Sequence, residues 1–215
     1  MDKKQHWENV YQTKGRDQVS WFREHLDTSL RMIIDTGVGK EASVIDVGGG
    51  NSTLVDDLLA QGFANPTVLD ISGKAIHDSN IRLGDSAGRV NWIEADITEA
   101  KLPEDRFDVW HDRAVFHFLT GDDDRHKYVG LVMDSVKPGG HVIVASFSLE
   151  GPEKCSGLNV VRYSPDTMHR EFGDSFRLVK SVDETHNTPF GTTQEFIYCY
   201  FRKLPIEMDV PVYLR

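Results

Sequence analysis

The sequence predicts one α/β domain built on a doubly wound, seven-stranded sheet that is mostly parallel, with helices on both faces. Five short β-rich runs alternate with helical patterns between residues 44 and 146. Strands separated by helices pair in parallel through right-handed crossovers. Two further strand-like runs, 176–183 and 194–201, follow with no helix between them. They predict a C-terminal antiparallel hairpin at one edge of the sheet.

The five parallel strands are predicted from short apolar runs that are bounded by polar residues, Gly or Pro. The run Val44-Ile45-Asp46-Val47, for example, is typical of a buried strand that leads into a glycine loop. The five strands are predicted at residues 44–47, 66–70, 90–94, 107–111 and 141–146.

The helices are predicted from apolar residues that recur on one face. Gly62 closes the first helix after the glycine loop, and Ser72 is the N-cap of the helix at 72–83. Ser164 and Pro165 open a short helix near the end of the chain. The other helices are predicted at 26–34, 54–59 and 122–137, the last ended by Pro138-Gly139-Gly140.

Composition excludes several classes of protein. The chain has 215 residues, and 24 Lys and Arg against 34 Asp and Glu give a net charge of −10. This acidity disfavours binding to nucleic acid or to an anionic membrane, because both need basic surface. Cys155 and Cys199 are too few for a disulfide framework or, unaided, for a zinc site. With no signal-peptide core and no apolar run of about 20 residues, we expect a cytoplasmic protein without a metal.

The glycine loop Gly48-Gly49-Gly50 joins the first strand to the first helix. Glycines there allow a sharp turn and let a ligand lie against bare main chain. Asp70 ends the second strand and Asp96 follows the third. Because open α/β sheets bind ligands at the carboxyl ends of their strands, these acids and the loop predict a binding site at one edge.

Five segments in register resemble the class I, Rossmann-like S-adenosylmethionine-dependent methyltransferases. They are Val44-Ile45-Asp46-Val47-Gly48-Gly49-Gly50, Val68-Leu69-Asp70-Ile71-Ser72, Glu94-Ala95-Asp96-Ile97, Phe107-Asp108-Val109-Trp110-His111-Asp112 and Lys137-Pro138-Gly139-Gly140. The resemblance implies an enzyme that uses S-adenosyl-L-methionine (SAM) and releases S-adenosyl-L-homocysteine (SAH).

The resemblance also implies how the chain is organised. A lid and a covering helix occupy residues 1–40, and the cofactor-binding core occupies residues 41–148. A substrate-side loop, a helix and the terminal hairpin occupy residues 149–203, and residues 204–215 form an irregular tail.

In the resemblance, the glycine loop lies under the methionine part of SAM, with Gly48, Gly49 and Gly50 as its floor. Asp46 orients the loop or the methionine amino group. The alternative for Asp46 is that this acid, inside an apolar strand, only ties down the loop.

The strand-end acids have implied roles at the other end of SAM. Asp70 holds both ribose hydroxyls, and Ile71 lies against the adenine. Asp96 accepts a hydrogen bond from the adenine amino group, and Ile97 lies beside the ring. The alternative for both acids is a helix cap or a turn.

The loop after the fourth strand is expected beside the transferable methyl group. Asp112 is a candidate for contacting the methionine amino group or taking a proton, and His111 and His117 are candidate bases near neutral pH. Arg113 is a candidate for the cofactor end, for an acidic substrate, or for an ion pair with Asp112. The structural alternative for His117 is a place on a helix face.

The N-terminal aromatic residues predict either a lid or a small core. Trp7 and Tyr11 share one helix face. As a lid, Tyr11 belongs to the methionine end of SAM, and Trp7 and Trp21 to the substrate. In the loop 149–163, Cys155 and Arg162 are candidates for facing the substrate or for loop structure. Cys199 is expected in the core.

These residues predict a methyltransferase whose acceptor is a small molecule. The alternative acceptor is a protein lysine side chain, and the further alternative is a non-catalytic cofactor-binding or scaffold module. A nicotinamide-dependent oxidoreductase is disfavoured because Thr53 stands where the dinucleotide fingerprint needs its third glycine. A P-loop enzyme is excluded because its Gly-Lys-Ser/Thr motif does not occur.

Overall fold

The computed structural model describes residues 2–205, so most of the predicted C-terminal tail lies outside the described residues. The strands are β1 (Ser43–Val47), β2 (Asn65–Asp70), β3 (Asn91–Glu94), β4 (Phe107–Arg113), β5 (Val136–Phe147), β6 (Lys154–Cys155), β7 (Leu158–Asn159), β8 (Phe176–Asn187) and β9 (Thr193–Lys203). The α-helices are α1 (Lys3–Thr13), α2 (Asp27–Asp35), α3 (Leu54–Ala60), α4 (Gly73–Leu83), α5 (Asp122–Ser135) and α6 (Pro165–Phe172).

The central sheet has seven strands in the order β3-β2-β1-β4-β5-β9-β8. Strands β1 to β5 pair in parallel, and β9 runs antiparallel to both β5 and β8. The predicted α/β class, the seven strands and the antiparallel terminal hairpin are therefore confirmed. Because β9 lies between β5 and β8, the chain first forms the edge strand β8 and then turns back to insert β9 beside β5.

The two faces of the sheet bury separate apolar cores. On one face, Trp110, Phe116 and Tyr128 pack under α5 and α6. On the other, Ile33 and Phe63 pack beneath α2 and α3. No helix among residues 2–205 combines the length and the apolar character that a membrane crossing requires.

Two elements differ from the prediction. Helix α5 ends at Ser135, and β5 begins at once, with a register shift against β4 between Phe107 and Val109. Within that irregular start, Gly139 has φ +73°, a conformation that glycine adopts easily. The loop 149–163 contains the small hairpin β6–β7, whose turn residues Ser156 and Gly157 both have positive φ, as a type I′ turn requires.

The segment between α1 and α2, residues 14–26, is called the strap below. Its Ser20 carbonyl accepts a hydrogen bond from Nε2 of His186 at 2.6 Å, and its Ser20 hydroxyl accepts one from Gln194 at 3.3 Å. Arg23 forms an ion pair with Glu184 at 2.8 Å. The strap is thus held against the β8–β9 hairpin.

Candidate active site

A cavity of about 370 Å³ opens at the carboxyl ends of β1, β2 and β4. Its volume lies within the range of small-molecule sites, roughly 300–1,000 Å³. The wall comes from the strand ends, from α1 and the strap, from the loop after β4, and from β7. Its lining residues are Lys3, Trp7, Tyr11, Trp21, Val47, Gly48, Leu69, Asp70, Ile71, Ala95, Asp96, Ile97, Arg113, Ala114, Val115, Phe118, Leu119, Thr120, Leu158 and Asn159.

The glycine loop leaves no space for side chains. Gly48 has φ +71°, and a Cβ there would lie 2.0 Å from Cγ2 of Val115. A Cβ on Gly49 or Gly50 would lie 2.2 Å from the Asp46 carboxylate or 2.7 Å from that of Asp70. Of the three predicted glycines, Gly48 lines the cavity with its main chain, whereas Gly49 and Gly50 pack against the two carboxylates and do not line it.

Asp70 lies at the end of β2 and is buried among backbone donors. Its carboxylate accepts hydrogen bonds from the N–H of Gly50 at 2.9 Å and of Ser72 at 2.8 Å. Burial raises the pKa of Asp70 to about 6, although the two backbone bonds oppose that shift. The carboxylate thus connects the glycine loop to the start of α4 and lines the cavity beside Ile71.

Asp96 and Ile97 line the cavity next to Asp70, because β2 and β3 are parallel neighbours. Oδ1 of Asp96 accepts hydrogen bonds from the backbone N–H of Thr98 at 2.9 Å and from its hydroxyl at 2.8 Å. Two carboxylates at adjacent strand ends, each beside an isoleucine, form a set of acceptors for hydroxyl or amino groups on a flat apolar body.

Asp112 does not face the cavity, which corrects its expected place beside an acceptor. Its carboxylate accepts hydrogen bonds from the N–H of Val115 at 2.8 Å and of Phe116 at 3.1 Å, and from the hydroxyl of Tyr128 at 2.7 Å. Burial raises the pKa of Asp112 to about 6. The side chain shapes the loop after β4 from beneath and is fully occupied there.

His117 and His111 also lie behind the cavity wall, so neither is placed to take a proton from a molecule in it. His117 is packed against Phe118 and Phe147, and burial lowers its pKa to about 3. Nδ1 of His111 forms a hydrogen bond with Oδ1 of Asp46 at 2.7 Å, and both side chains are buried. Asp46 therefore joins β1 to β4 as well as lying beneath the glycine loop.

Arg113 reaches the cavity from the end of β4, but it does not pair with Asp112. It donates to the Tyr198 hydroxyl at 2.9 Å and to the Trp21 carbonyl at 3.2 Å. Its guanidinium also lies 4.5 Å from the centre of the Phe196 ring and 3.6 Å from Glu184. These contacts fix Arg113 between the strap and the terminal hairpin.

Helix α1 covers the cavity with aromatic side chains. The ring of Trp7 lies 5.8 Å from that of Trp21 and 5.1 Å from that of Phe118, both edge-on. Burial and the nearby Asp70 raise the pKa of Tyr11 well above its usual value. On the same helix, Glu8 accepts hydrogen bonds from the N–H of Gly73 at 2.7 Å, at the start of α4. The N-terminal aromatic residues therefore pack as a small cluster and also cover the cavity, so the two alternatives given for them do not exclude each other.

Cys155 and Arg162 do not line the cavity, which corrects their expected exposure to a substrate. Cys155 is buried, and burial raises its pKa to about 12. Arg162 donates to the carbonyls of Leu149 at 2.8 Å and Gly151 at 3.2 Å and so holds the loop together. From this loop, Leu158 and Asn159 of β7 form the wall instead.

Several lining residues were not predicted. Lys3 reaches the cavity from the first turn of α1 and forms an ion pair with Asp124 at 2.8 Å. The loop after β4 contributes small or apolar side chains, which carry no chemical signature in a sequence: Ala114, Val115, Phe118, Leu119 and Thr120. The Ser-Gly pair before Leu158 is a recognisable turn signal that would have indicated the β6–β7 hairpin.

Comparison with known proteins finds a family match over the strands whose ends carry the cavity. A family model described as "Methyltransferase domain" matches residues 44–140. The eEF1A lysine and N-terminal methyltransferase of Mus musculus is 24% identical over 119 residues, which are 55% of this chain and 17% of that protein. The chain therefore spans about a sixth of the length of this relative. EEF1A lysine methyltransferase 2 of Danio rerio is 24% identical, over 66% of this chain and 67% of that protein.

Solved structures share the fold over almost the whole chain. The enzyme 1,6-didemethyltoxoflavin-N1-methyltransferase of Burkholderia thailandensis, solved with 1,6-didemethyltoxoflavin and SAH bound, has a TM-score of 0.71 and 20% identity, covering 94% of this chain and 87% of that one. A structure described for the conversion of a disulfide bond into a thioacetal group during echinomycin biosynthesis has a TM-score of 0.76 and 19% identity, covering 94% and 92%. Residues 44–140 therefore match a methyltransferase domain, and the chain shares its fold and strand order with solved methyltransferase structures over almost its whole length.

Proposed function

We propose that this protein transfers a methyl group from SAM to a small-molecule acceptor. The observation that carries the proposal is the composition of the cavity wall. Carboxylates of Asp70 and Asp96 line it, and an aromatic lid from Trp7, Tyr11 and Trp21 covers it.

The acidic end of the cavity fits the nucleoside part of SAM. The Asp70 carboxylate suits the two ribose hydroxyls, and the Asp96 carboxylate suits the adenine amino group, because ionised carboxylates are strong acceptors. Ile71 and Ile97 supply apolar surface for the faces of the ring. The main chain at Gly48 leaves room for the methionine part. When bound, SAM supplies an electrophilic methyl group on a sulfonium.

The protein's own contribution is alignment and the exclusion of water. Methyl transfer is an in-line displacement, so a fixed geometry between donor and acceptor supplies much of the rate. Trp7, Tyr11, Trp21 and Phe118 close the cavity over the reacting groups, and their π-faces suit the positive sulfonium. Because α1 covers the cavity, a small acceptor fits it better than an extended polypeptide.

A protein lysine side chain is the second candidate acceptor. The eEF1A lysine methyltransferases among the relatives support it. We further propose a cytoplasmic location, which the two free, buried cysteines support. No nucleic-acid or membrane partner is proposed.

Two measurements test the proposal. Calorimetric titration is expected to show binding of SAH and no binding of a nicotinamide dinucleotide. Incubation with methyl-labelled SAM and a cell extract is expected to label the small-molecule fraction. Label in protein alone would favour the lysine candidate, and SAH binding without any transfer would favour a non-catalytic cofactor-binding module.

A further inference from the structure

The cavity wall contains few groups that exchange protons. Among the described residues, the titratable side chains that line it are Lys3, Tyr11, Asp70, Asp96 and Arg113. The histidines described in residues 2–205 all lie elsewhere. Any proton that must leave an acceptor during the reaction therefore has to go to one of these five groups or to solvent.

The two carboxylates are not free for this task. If SAM binds as proposed, Asp70 and Asp96 are occupied by its ribose and adenine. Asp70 also accepts two backbone hydrogen bonds, and Asp96 accepts two from Thr98. Neither carboxylate then remains available to an acceptor under the aromatic lid.

The other three groups are proton donors. Lys3 is a cation in an ion pair with Asp124, and Arg113 is a guanidinium beside Glu184. Tyr11 keeps its proton, since burial and Asp70 raise its pKa. None of the three is therefore a general base, and both cations are already paired with carboxylates.

This arrangement favours acceptors that lose their proton without help. An amine such as lysine, with a pKa near 10.4, enters as an ammonium and has to be deprotonated. A hydroxyl of the phenol type, with a pKa near 10, is almost entirely neutral. A thiol, with a pKa near 8.5, is already a few per cent thiolate at pH 7 and is intrinsically nucleophilic.

We propose that the acceptor is a thiol on an aromatic or apolar body, an inference that rests on the proposed function. A thiol needs no protein base to reach its reactive form, and sulfur packs well against aromatic rings such as those of Trp7 and Phe118. In the step, the thiol proton goes to solvent first. The thiolate electron pair then forms a bond to the methyl carbon. The bond from that carbon to the donor's sulfonium breaks, and its electron pair stays on the donor's sulfur.

The test uses three acceptors with one carbon skeleton: benzyl mercaptan, benzyl alcohol and benzylamine. With saturating SAM at pH 7.5, kcat/KM for the thiol is expected to exceed that for each of the other two, because thiolate sulfur is the intrinsically stronger nucleophile. Faster methylation of the amine or the alcohol would overturn the inference, as would label found only in protein.

A pH profile separates substrate ionisation from a protein base. Above pH 7, kcat/KM is expected to rise with an inflection at the thiol's own pKa, and thiophenol, which is more acidic, is expected to shift that inflection downward. One inflection shared by both thiols would reveal a base in the protein. The same profile for His117→Leu is expected to match the wild type, because His117 is buried behind the wall.

Binding data distinguish a failure of the thiol inference from a failure of the proposed function. If SAH binds in calorimetry but no thiol in the panel is methylated, the thiol inference fails and the proposed use of SAM stands. If SAH does not bind to the folded protein, the proposed function itself fails.

Discussion

Glu8 accepts a hydrogen bond from the backbone N–H of Gly73 at 2.7 Å, so a side chain of α1 satisfies the free amino end of α4. The other Glu8 oxygen accepts from the N–H of Lys74 at 3.3 Å. Helix N-termini carry unpaired donors and a partial positive charge, and a carboxylate there satisfies both. The lid is therefore fastened to the helix that begins three residues after Asp70.

We expect Glu8→Ala to loosen the lid. Loss of this interaction costs about 0.5–2 kcal/mol, the range measured for helix N-caps. Limited proteolysis within residues 3–26 is expected to become faster, and SAH affinity is expected to fall. Gln12→Ala on the same helix is the control, because Gln12 is exposed and forms no side-chain hydrogen bond in the described structure. Equal protease sensitivity of the two variants would contradict the role of Glu8.

The ionisation of Asp70 is expected to make SAH binding depend on pH. If SAM binds as proposed, the ionised carboxylate accepts from the ribose hydroxyls, and burial raises its pKa to about 6. Affinity is therefore expected to fall as the pH drops through about 6, because protonation removes an acceptor. Asp70→Asn is expected to weaken binding by roughly 10–100-fold at pH 8, the loss expected for a hydrogen bond to a charged group.

The SAH affinity of Asp70→Asn is expected to change little between pH 5 and 8. Calorimetry measures both profiles, and Asp85→Asn, at an exposed position, is the control. A variant that retains the inflection of the wild type would assign it to another group.

Asp112→Asn is expected to change stability more than ligand affinity. The amide would direct donors toward the backbone N–H groups of Val115 or Phe116, which costs about 1–3 kcal/mol at pH 7.5. The folded-state pKa of Asp112, about 6, lies above its ordinary value of 3.8. Its stabilising contribution is thus complete below pH 3.8 and is lost as the pH rises through about 6.

The stability deficit of Asp112→Asn relative to the wild type is consequently expected to be larger at pH 5 than at pH 7.5. Urea unfolding at both values measures it. If Asp112→Asn is as stable as the wild type but has lost activity, Asp112 has a role in the reaction and not only in folding.

Lys203→Met tests a buried cation at the end of β9. The ammonium donates to the carbonyls of Met133 and Val136, the latter at 2.6 Å, where α5 gives way to β5. Removal leaves these acceptors unpaired and is expected to cost about 1–3 kcal/mol of unfolding free energy. Lys180→Met, which breaks only an exposed pair with Asp35, is expected to cost about 0–1 kcal/mol.

Trp7→Ala is expected to separate acceptor binding from cofactor binding. The ring contacts Trp21 and Phe118 over the aromatic end of the cavity, so its loss opens that end to water. We expect KM for the acceptor to rise by about 10-fold, in keeping with the large apolar area of an indole, while SAH affinity changes little. Trp92→Ala serves as the control, since Trp92 lies in a separate apolar cluster.

Which residues line the cavity could be predicted in part because lining depends on where strands stop. Gly48 and Asp96 follow strands and Asp70 ends one in a regular α/β pattern, and parallel strands present their carboxyl ends at one edge. The structure places all three residues on the cavity wall. Their contacts with SAM remain predictions.

The residues at the end of β4 are harder to predict because neighbours on a strand face opposite sides of the sheet. Asp112 points toward Tyr128 on the α5 side, whereas His111 points to Asp46. A prediction that gave both a role beside one acceptor was incompatible with this alternation. Glu8 is missed for a different reason. Its partner Gly73 is 65 residues away, and nothing local marks the pair.

The strap has a consequence for the order in which the protein is completed during synthesis. Ser20 is held by His186 and Gln194, which follow it by 166 and 174 residues. Chains emerge from the ribosome with the N-terminus first, and contacts between distant residues form late. The parallel strands and the glycine loop can therefore assemble before the strap is held in place, because its partners in the terminal hairpin are made much later. The strap can complete the wall of the cavity only after that hairpin has formed.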